Sequence, residues 1–307
     1  MIKSITITNH LGESCEMVLA RPDLSGFLIQ RIGGLGPPKA DINMTDLATN
    51  DGARYNSSRV TPRNIVIDFI FYSPEGNVSI EQIRRKSYKY FPIKKKIKFL
   101  IETDDRVCET FGVVESNEPN IFSSQEGCSI SIVCPDPYFY STGENGKTVS
   151  VFYGITPNFE FDFSNESLTT NEIEFSVITQ DFEQTIVYDG DADIGVVITM
   201  HAFGPVKNVS IFNTMTNESM RFDTDRLLEL TGSGIIASDT ITISTIKGDK
   251  YVMLLRSGVY YNILNCLDKD ADWFQLQKGD NIFAYAAEEG FTNLEFRIEN
   301  QTMFEGV

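Results

Sequence analysis

The chain has 307 residues, of which 41% are hydrophobic and 22% are charged, and its formal net charge is −17. This length is enough for two domains with separate cores, and this composition excludes wholesale disorder. The sequence has no run of eighteen apolar residues and no apolar segment near its start, so it predicts neither a transmembrane helix nor a signal peptide.

The first half is predicted to hold several strands and one helix. Residues 63–73, RNIVIDFIFYS, alternate apolar side chains in the manner of a strand. Ser79 is predicted to cap a helix that Pro92 ends. Further strand patterns lie at residues 4–8, 15–19, 96–102, 107–115 and 128–134. One helix among many strands predicts a β-sandwich or barrel with a flanking helix.

Residues 33–59 interrupt this series of strands. They are rich in Gly, Pro, Asn and Asp and show little apolar periodicity. A stretch this long without structure of its own is unusual inside a compact domain and is often functional. We interpret it as an arm loop that reaches a neighbouring subunit in an assembly.

The second half consists of strand patterns separated by turns such as Lys247-Gly248-Asp249. The predicted strands are 158–163, 172–178, 196–202, 207–213, 220–223, 240–246, 251–255, 281–285 and 294–300. Short strands with regular turn signals predict a two-sheet sandwich of the jelly-roll kind. The composition of residues 141–147 suits a linker, so the predicted domains are 1–143 and 144–307.

The charge is unevenly distributed between the two halves. Residues 1–140 carry 16 Lys+Arg against 17 Asp+Glu, whereas residues 141–307 carry 10 against 26. This asymmetry favours two domains with different surroundings. An acidic surface also disfavours gripping DNA, because binding to phosphates needs cations.

No catalytic set is recognisable. The two histidines, His10 and His201, belong to no zinc spacing and no triad motif. Residues 232–237, GSGIIA, match a dinucleotide fingerprint only formally, since the residues that follow alternate like a strand instead of starting a helix. A pair of carboxylates acting on a glycoside stays open, because 43 acidic residues always supply candidates. We predict a protein that is not an enzyme and has no cofactor.

Two runs of alternating aspartates are weak calcium candidates. Carboxylates at alternate positions can chelate Ca²⁺ if a loop curls around the ion. The first run does not fit an EF-hand, since its sixth position is Ile194 instead of glycine. The favoured interpretation is a solvated acidic turn, and no metal is predicted. The two runs are Asp189, Asp191, Asp193 and Asp268, Asp270, Asp272.

The cysteines, the single tryptophan and a basic run each have a plain structural interpretation. The five cysteines form no CxxC pair and are predicted to be buried free thiols. Trp273 is predicted to be mainly a packing residue, with stacking on a sugar as the alternative. Residues 84–98 form a basic cluster with interleaved aromatic residues that could touch nucleic acid. A solvated face, or a surface that complements an acidic neighbour, is favoured.

Several short segments, spread over both halves of the chain, carry a resemblance to a known protein family. In the first half they are residues 33–36, 51–53, 63–65 and 134–137; in the second they are 204–205, 211–213, 216–217, 228 onward, 267–268, 273–274, 276 and 278–281. Together they resemble the distal tail (Dit) proteins of long-tailed phages that infect Gram-positive bacteria. The stretch 166–194 is longer than this family leads us to expect.

The resemblance implies a structural virion protein. The first domain would be similar to tail-tube proteins and form a hexameric ring, and the second would be galectin-like and serve host attachment as a docking platform. The implied partners are further copies of itself, the tail-tube protein, the tape-measure protein, the tail-associated lysin or fibre hub, and receptor-binding proteins. The implied location is the tail tip or baseplate of a virion made in the bacterial cytoplasm, with no membrane and no specific nucleic-acid binding.

An assembly interface is predicted on the arm and on the basic cluster. Its residues are Gly34, Gly36, Asp51, Gly52, Arg59, Arg84, Arg85, Lys94, Lys95 and Lys96. Two alternatives stay open: a carbohydrate-binding β-sandwich protein that recognises a receptor, and the same part of a phage-tail-like bacteriocin.

Overall fold

The computed structural model describes residues 1–47, 51–73, 78–142, 146–157, 176–180 and 183–307. The protein is mainly β, as predicted, and all its described strand pairs are antiparallel. The chain forms two compact units, Met1–Gly146 together with Met303–Val307, and Lys147–Thr302. No described helix is long and apolar enough to cross a membrane.

The first unit is built on one large sheet, and its elements follow in chain order. They are β1 (Ile2–Thr8), β2 (Ser14–Val18), α1 (Pro22–Ser25), β3 (Phe27–Gly33), β4 (Ala40–Asp46), β5 (Ala53–Val60), β6 (Arg63–Phe71), α2 (Ile80–Tyr90), β7 (Lys96–Thr103), β8 (Val107–Asn120), β9 (Gly127–Cys134) and β10 (Phe139–Ser141). The main path of the sheet runs β2-β1-β7-β8-β9-β6-β3, while β4 and β5 pair only with each other.

The core of this unit follows from the alternation read in the sequence. In β6 every second side chain, from Ile65 to Phe71, is buried. The helix α2 begins at Ser79, whose hydroxyl accepts a hydrogen bond from the backbone N–H of Gln82 in a capping box. Its buried face includes Ile83, which belongs to the same apolar cluster as the strands. The predicted flanking helix is therefore confirmed.

The long strand β8 bends the sheet. Its first part, from Val107 to Val113, pairs with β7, and its second part, from Val113 to Asn120, pairs with β9. The register shifts between Val114 and Ser116. Such an irregularity bends a strand and increases its twist, so the two parts of the sheet fold over a common core.

The second unit contains the remaining strands and one more helix. They are β11 (Lys147–Val151), β12 (Tyr153–Pro157), β13 (Ser176–Gln180), β14 (Glu183–Tyr188), β15 (Ile194–Gly195), β16 (Val197–Ala202), β17 (Lys207–Asn213), β18 (Glu218–Phe222), α3 (Thr224–Thr231), β19 (Thr240–Ser244), β20 (Tyr251–Arg256), β21 (Val259–Asn262), β22 (Gln275–Leu276), β23 (Gly279–Glu289) and β24 (Leu294–Gln301). The larger sheet runs β11-β24-β16-β19-β20-β21 and the smaller β14-β23-β17-β18.

These two sheets pack against each other. Tyr285 of β23 stacks on Phe296 of β24 with ring centroids 5.1 Å apart, and Phe152 contacts both rings. A face-to-face contact between aromatic residues of two antiparallel sheets is the core of a sandwich. The predicted strand at 158–163 and most of that at 172–178 lie outside the described residues.

The last residues return to the first unit. After β24, the strand β25 (Met303–Phe304) pairs with β10, which in turn pairs with the start of β8. The sequence interpretation placed residues 303–307 with the second half. They belong instead to the first unit, because β25 extends the edge that β10 leaves open.

Candidate assembly surface

The arm predicted at residues 33–59 contains a β-hairpin, so the expectation of a stretch without its own structure was wrong. β4 and β5 pair from Ala40 opposite Val60 to Asp46 opposite Ala53. Every residue of both strands is exposed. The hydrogen bonds between the strands therefore form this element without a core beneath it.

The hairpin is amphipathic. Residues that lie opposite each other share a face of a strand pair. One face carries Ile42, Met44 and Tyr55, which are 52%, 56% and 59% exposed. A register shift after Asn43 keeps Tyr55 opposite Met44, on the side of Ile42. A contiguous apolar face on a hairpin that is exposed on both sides marks a surface for a partner.

The opposite face of the hairpin is polar. Arg59 lies 3.1 Å from the carboxylate of Asp41 across the strand pair. Asn56 donates a hydrogen bond of 2.7 Å to the hydroxyl of Thr45. Both pairs are solvent-exposed, so they contribute little stability and leave this face hydrated.

A single buried arginine holds the base of the arm. Arg63, at the start of β6, is only 3% exposed. Its guanidinium donates hydrogen bonds of 2.6 Å to the carbonyl oxygens of Gly34, Gly36 and Pro137, and one of 2.5 Å to that of Glu305. We call this arrangement the Arg63 clasp. It joins the arm base, the corner after β9 and the C-terminal tail within the first unit.

The clasp compensates for the burial of a charge. Desolvation lowers the pKa of Arg63 from its ordinary value, and the aligned carbonyl dipoles offset that cost. The guanidinium carbon also lies 4.3 Å from the centroid of the Phe139 ring. Nearby, the backbone N–H of Val307 donates to the oxygen of Leu35 at 3.0 Å, so the tail and the arm base are joined twice.

Two of the predicted interface residues are glycines in this clasp. Gly34 has φ +84°, and a Cβ added to it would lie 2.0 Å from the oxygen of Asn64, whereas Gly36 has open space around it. Only glycine fits at position 34. Both residues offer their carbonyl oxygens to Arg63, and their part in an interface stays a prediction.

The other predicted interface residues lie in three separate parts of the first unit. Asp51 and Gly52 are exposed just before β5 at the tip of the hairpin, and Arg59 lies within β5. The remaining five belong to α2 and to the turn before and the start of β7. They are Arg84, Arg85, Lys94, Lys95 and Lys96.

Four of the eight basic side chains at residues 84–98 form ion pairs, among them Lys89 with Glu13 and Lys98 with Glu109. Arg84 lies 3.2 Å from Glu126, and Arg85 lies 2.7 Å from Glu81. The amino group of Lys96 lies 4.5 Å from the ring centroid of Phe111. Among the residues that the structure describes, Lys94 and Lys95 form no ion pair. Neighbouring carboxylates thus offset about half of the positive charge of the cluster.

The calcium candidates are engaged with basic side chains. Lys278 lies 3.9 Å from Asp189 and 3.7 Å from Asp191. Asp268 lies 3.2 Å from Arg226. Within the described ranges no group of three His, Cys, Asp or Glu is arranged to hold a metal ion. The interpretation of both runs as solvated acidic turns stays a prediction.

The cysteines match their prediction: all five are free and buried. Burial raises the pKa of Cys108 and of Cys134 to about 11, and that of Cys128 to about 12. Thiols with such values are poor nucleophiles near neutral pH.

The prediction that Trp273 is mainly a packing residue stays a prediction. The side chain is only partly buried, and the amino group of Lys250 lies 4.8 Å from its ring centroid. The adjacent Phe274 is fully buried and contacts Phe283 with ring centroids 5.4 Å apart. The core residue of the pair is therefore Phe274.

The fold is similar to that of solved phage tail proteins. No known family model matches the sequence, and no curated protein is significantly similar to it. The crystal structure of the SPP1 Dit protein, described as a paradigm of the hub adsorption apparatus in phages infecting Gram-positive bacteria, matches with a TM-score of 0.64 and 11% identity, over 98% of this chain and 99% of that chain.

Two structures of the phage P2 baseplate in its activated conformation match less closely. The one with Ca has a TM-score of 0.47 and 11% identity over 98% of each chain. The one with Sr has a TM-score of 0.46 and 12% identity over 97% of each chain. The match to the SPP1 Dit structure confirms, at the level of the fold and over almost the whole chain, the resemblance to distal tail proteins that the sequence showed.

Proposed function

We propose that this protein is a distal tail hub of a phage infecting Gram-positive bacteria, in which six copies form a ring at the end of the tail tube. The fold shared with the SPP1 Dit hub supports the structural role. The first unit forms the ring. The second unit is galectin-like and docks peripheral baseplate or receptor-binding proteins.

The exposed amphipathic hairpin is the observation that carries this proposal. Its apolar side chains gain free energy by leaving water, at roughly 25 cal/mol for each Å² buried. In a ring, one heterologous contact repeats around the axis until it closes. The hairpin of one subunit lies against the next subunit, and the Arg63 clasp fixes the direction in which it leaves.

The ring joins the tail-tube protein and the tape-measure region on one side to the tail-associated lysin or fibre hub on the other. These roles need docking surfaces and no catalytic centre. The basic cluster contains both ion-paired side chains and cations with no carboxylate partner among the described residues, and such a mixed surface suits contacts with proteins.

The test compares two substitutions on opposite faces of the hairpin. Ile42→Asp places a carboxylate on the apolar face, and Asn43→Asp places the same carboxylate on the polar face. Because both positions are exposed, we expect neither change to alter the fold of the subunit. The wild-type protein and Asn43→Asp should form six-fold rings in negative-stain images, and Ile42→Asp should remain monomeric by mass photometry.

Two results would contradict the proposal. One is a wild-type protein that stays monomeric at every concentration and shows no ring in purified tails. The other is a ring that survives Ile42→Asp unchanged, which would remove the role of the hairpin.

A further inference from the structure

The second unit has an open cleft that the assembly role does not use. It has a volume of about 560 Å³ and lies between the outer face of β17–β18 and the turn at residues 268–271. Its lining includes Ser210, Phe212, Ser219, Arg221, Arg226 and Asp268. This volume falls within the range of small-ligand sites.

The turn that forms one wall is fixed to the sheet. The backbone N–H of Asp268 donates to the oxygen of Arg221 at 3.1 Å, and that of Asp272 donates to the oxygen of Ser219 at 2.8 Å. In return, the backbone N–H of Ser219 donates to the carboxylate of Asp272 at 3.0 Å. The wall therefore does not have to be ordered when a ligand binds, which lowers the entropic cost of binding.

The two arginines and Asp268 in the lining form ion pairs with nearby carboxylates or with each other, and Lys269 and Asp270 of the same turn add one charge of each sign. Arg221 lies 2.8 Å from Glu288 and 3.8 Å from Asp268, and Arg226 lies 3.2 Å from both Asp223 and Asp268. An anionic ligand would have to separate these pairs, and a cationic ligand would meet two guanidinium groups. The cleft therefore disfavours ions of either sign.

The same groups suit hydroxyl ligands. A guanidinium has five N–H donors, and its partner carboxylates keep lone pairs that can accept. A hydroxyl group donates and accepts at once, so neighbouring hydroxyls can bridge Arg221 and Asp268 without breaking the ion pair. Such hydrogen bonds to charged groups are stronger than neutral ones.

An aromatic ring completes the site. Phe212 is 38% exposed and lies directly opposite Ser219 in the strand pair, while Ser210 lies opposite Arg221. All four side chains therefore share the outer face of the smaller sheet. An apolar ring beside paired donors and acceptors matches a sugar ring, which has a C–H face and a rim of hydroxyls.

We infer that this cleft binds a neutral oligosaccharide, with Phe212 against one face of a sugar ring and with Arg221 and Asp268 at its hydroxyls. The site belongs to one subunit and does not depend on ring formation. A monomeric Ile42→Asp variant should bind the sugar as the wild type does, so failure of either proposal can be told from failure of the other.

The test uses the full chain and named probes. Isothermal titration and saturation-transfer NMR would measure binding of neutral trisaccharides of glucose, galactose and N-acetylglucosamine, with glucose 6-phosphate as the charged comparator. We expect at least one neutral probe to bind at millimolar concentration and to bind more tightly than the phosphate. Phe212→Ala should weaken binding by about tenfold, the equivalent of one good contact.

The chain offers a matched aromatic control. Trp273→Ala removes the partly exposed aromatic side chain that the sequence offers as a candidate for sugar stacking, and it should change affinity by less than about twofold. If Phe212→Ala lowers the melting temperature, Asp270→Asn at the exposed rim serves as the second variant and should also weaken binding. Absence of binding by every neutral probe, tighter binding of glucose 6-phosphate, or loss of binding only in Trp273→Ala would each overturn the inference.

Discussion

At the scale of single residues, Arg63 determines more of the local structure than its place in the sequence shows. Its four carbonyl partners come from residues 34, 36, 137 and 305, so the most distant one is 242 residues away. The sequence shows an arginine at the start of a strand, a position where most arginines point into solvent. Backbone carbonyls have no side-chain signature, so the partners of Arg63 could not be read from residue types.

Replacing Arg63 should therefore be severe. Arg63→Ala leaves buried carbonyl groups without donors and is expected to lower the free energy of unfolding by about 3–5 kcal/mol. Arg63→Lys should recover only part of this loss, because an ammonium group cannot reproduce the planar fork of a guanidinium. Guanidinium chloride unfolding measures both.

The control for Arg63 is Arg85, which forms an exposed ion pair with Glu81 on α2. Arg85→Ala should change the free energy of unfolding by less than about 0.5 kcal/mol. Equal effects at the two positions would show that the clasp does not hold the arm base.

At the scale of elements, the sequence predicted those that bury an alternating or helical face. The strand β6, the helix α2 with its Ser79 cap and the strand β17 all lie where the pattern indicated. The hairpin β4–β5 was missed, because its alternation at Ile42 and Met44 is short and the bulge interrupts it on the other strand.

The helix α3 was missed for another reason. Its eight residues, TDRLLELT, make only about two turns, which is too short for a helical periodicity to stand out in the sequence. The sequence feature that could have predicted this helix is its N-cap, Asp223. The carboxylate of Asp223 accepts hydrogen bonds from the backbone N–H groups of Asp225 and Arg226. The glycine at position 232 that suggested a dinucleotide fingerprint is the left-handed C-cap of this helix.

The segment leading into β22 gives the element-scale prediction. Phe274→Ala should lower the free energy of unfolding by about 3–5 kcal/mol, because a buried ring leaves a cavity between the sheets. Trp273→Ala should cost about 1 kcal/mol, since its ring is partly in water and its main neighbour is the flexible Lys250. Thermal unfolding measures the loss of stability in both variants. A larger loss in Trp273→Ala than in Phe274→Ala would contradict the assignment of Phe274 to the core.

At the scale of the whole molecule, the net charge disfavours binding of polyanions such as DNA. The net charge of −17 repels polyanions, and ion pairs absorb part of the basic cluster. The repulsion of polyanions follows from the net charge, so it could be predicted from the sequence. The carboxylate that pairs with each cation could not be predicted, because it depends on the fold.

We therefore expect no tight binding of double-stranded DNA at physiological salt, as measured by fluorescence anisotropy. Binding through phosphates would show a steep dependence on salt. Tight, salt-sensitive binding that disappears when Lys94, Lys95 and Lys96 are changed together to alanine would contradict this expectation.

The return of the C-terminal tail to the first unit has a consequence for the order of events during synthesis. A ribosome makes the chain from its N-terminus, so residues 303–307 emerge after the entire second unit. Until then β10 lacks β25, and Arg63 lacks the carbonyl oxygen of Glu305. The base of the arm is thus completed only after the whole second unit has been synthesised. A nascent chain therefore carries an incomplete arm base while its second unit is being made.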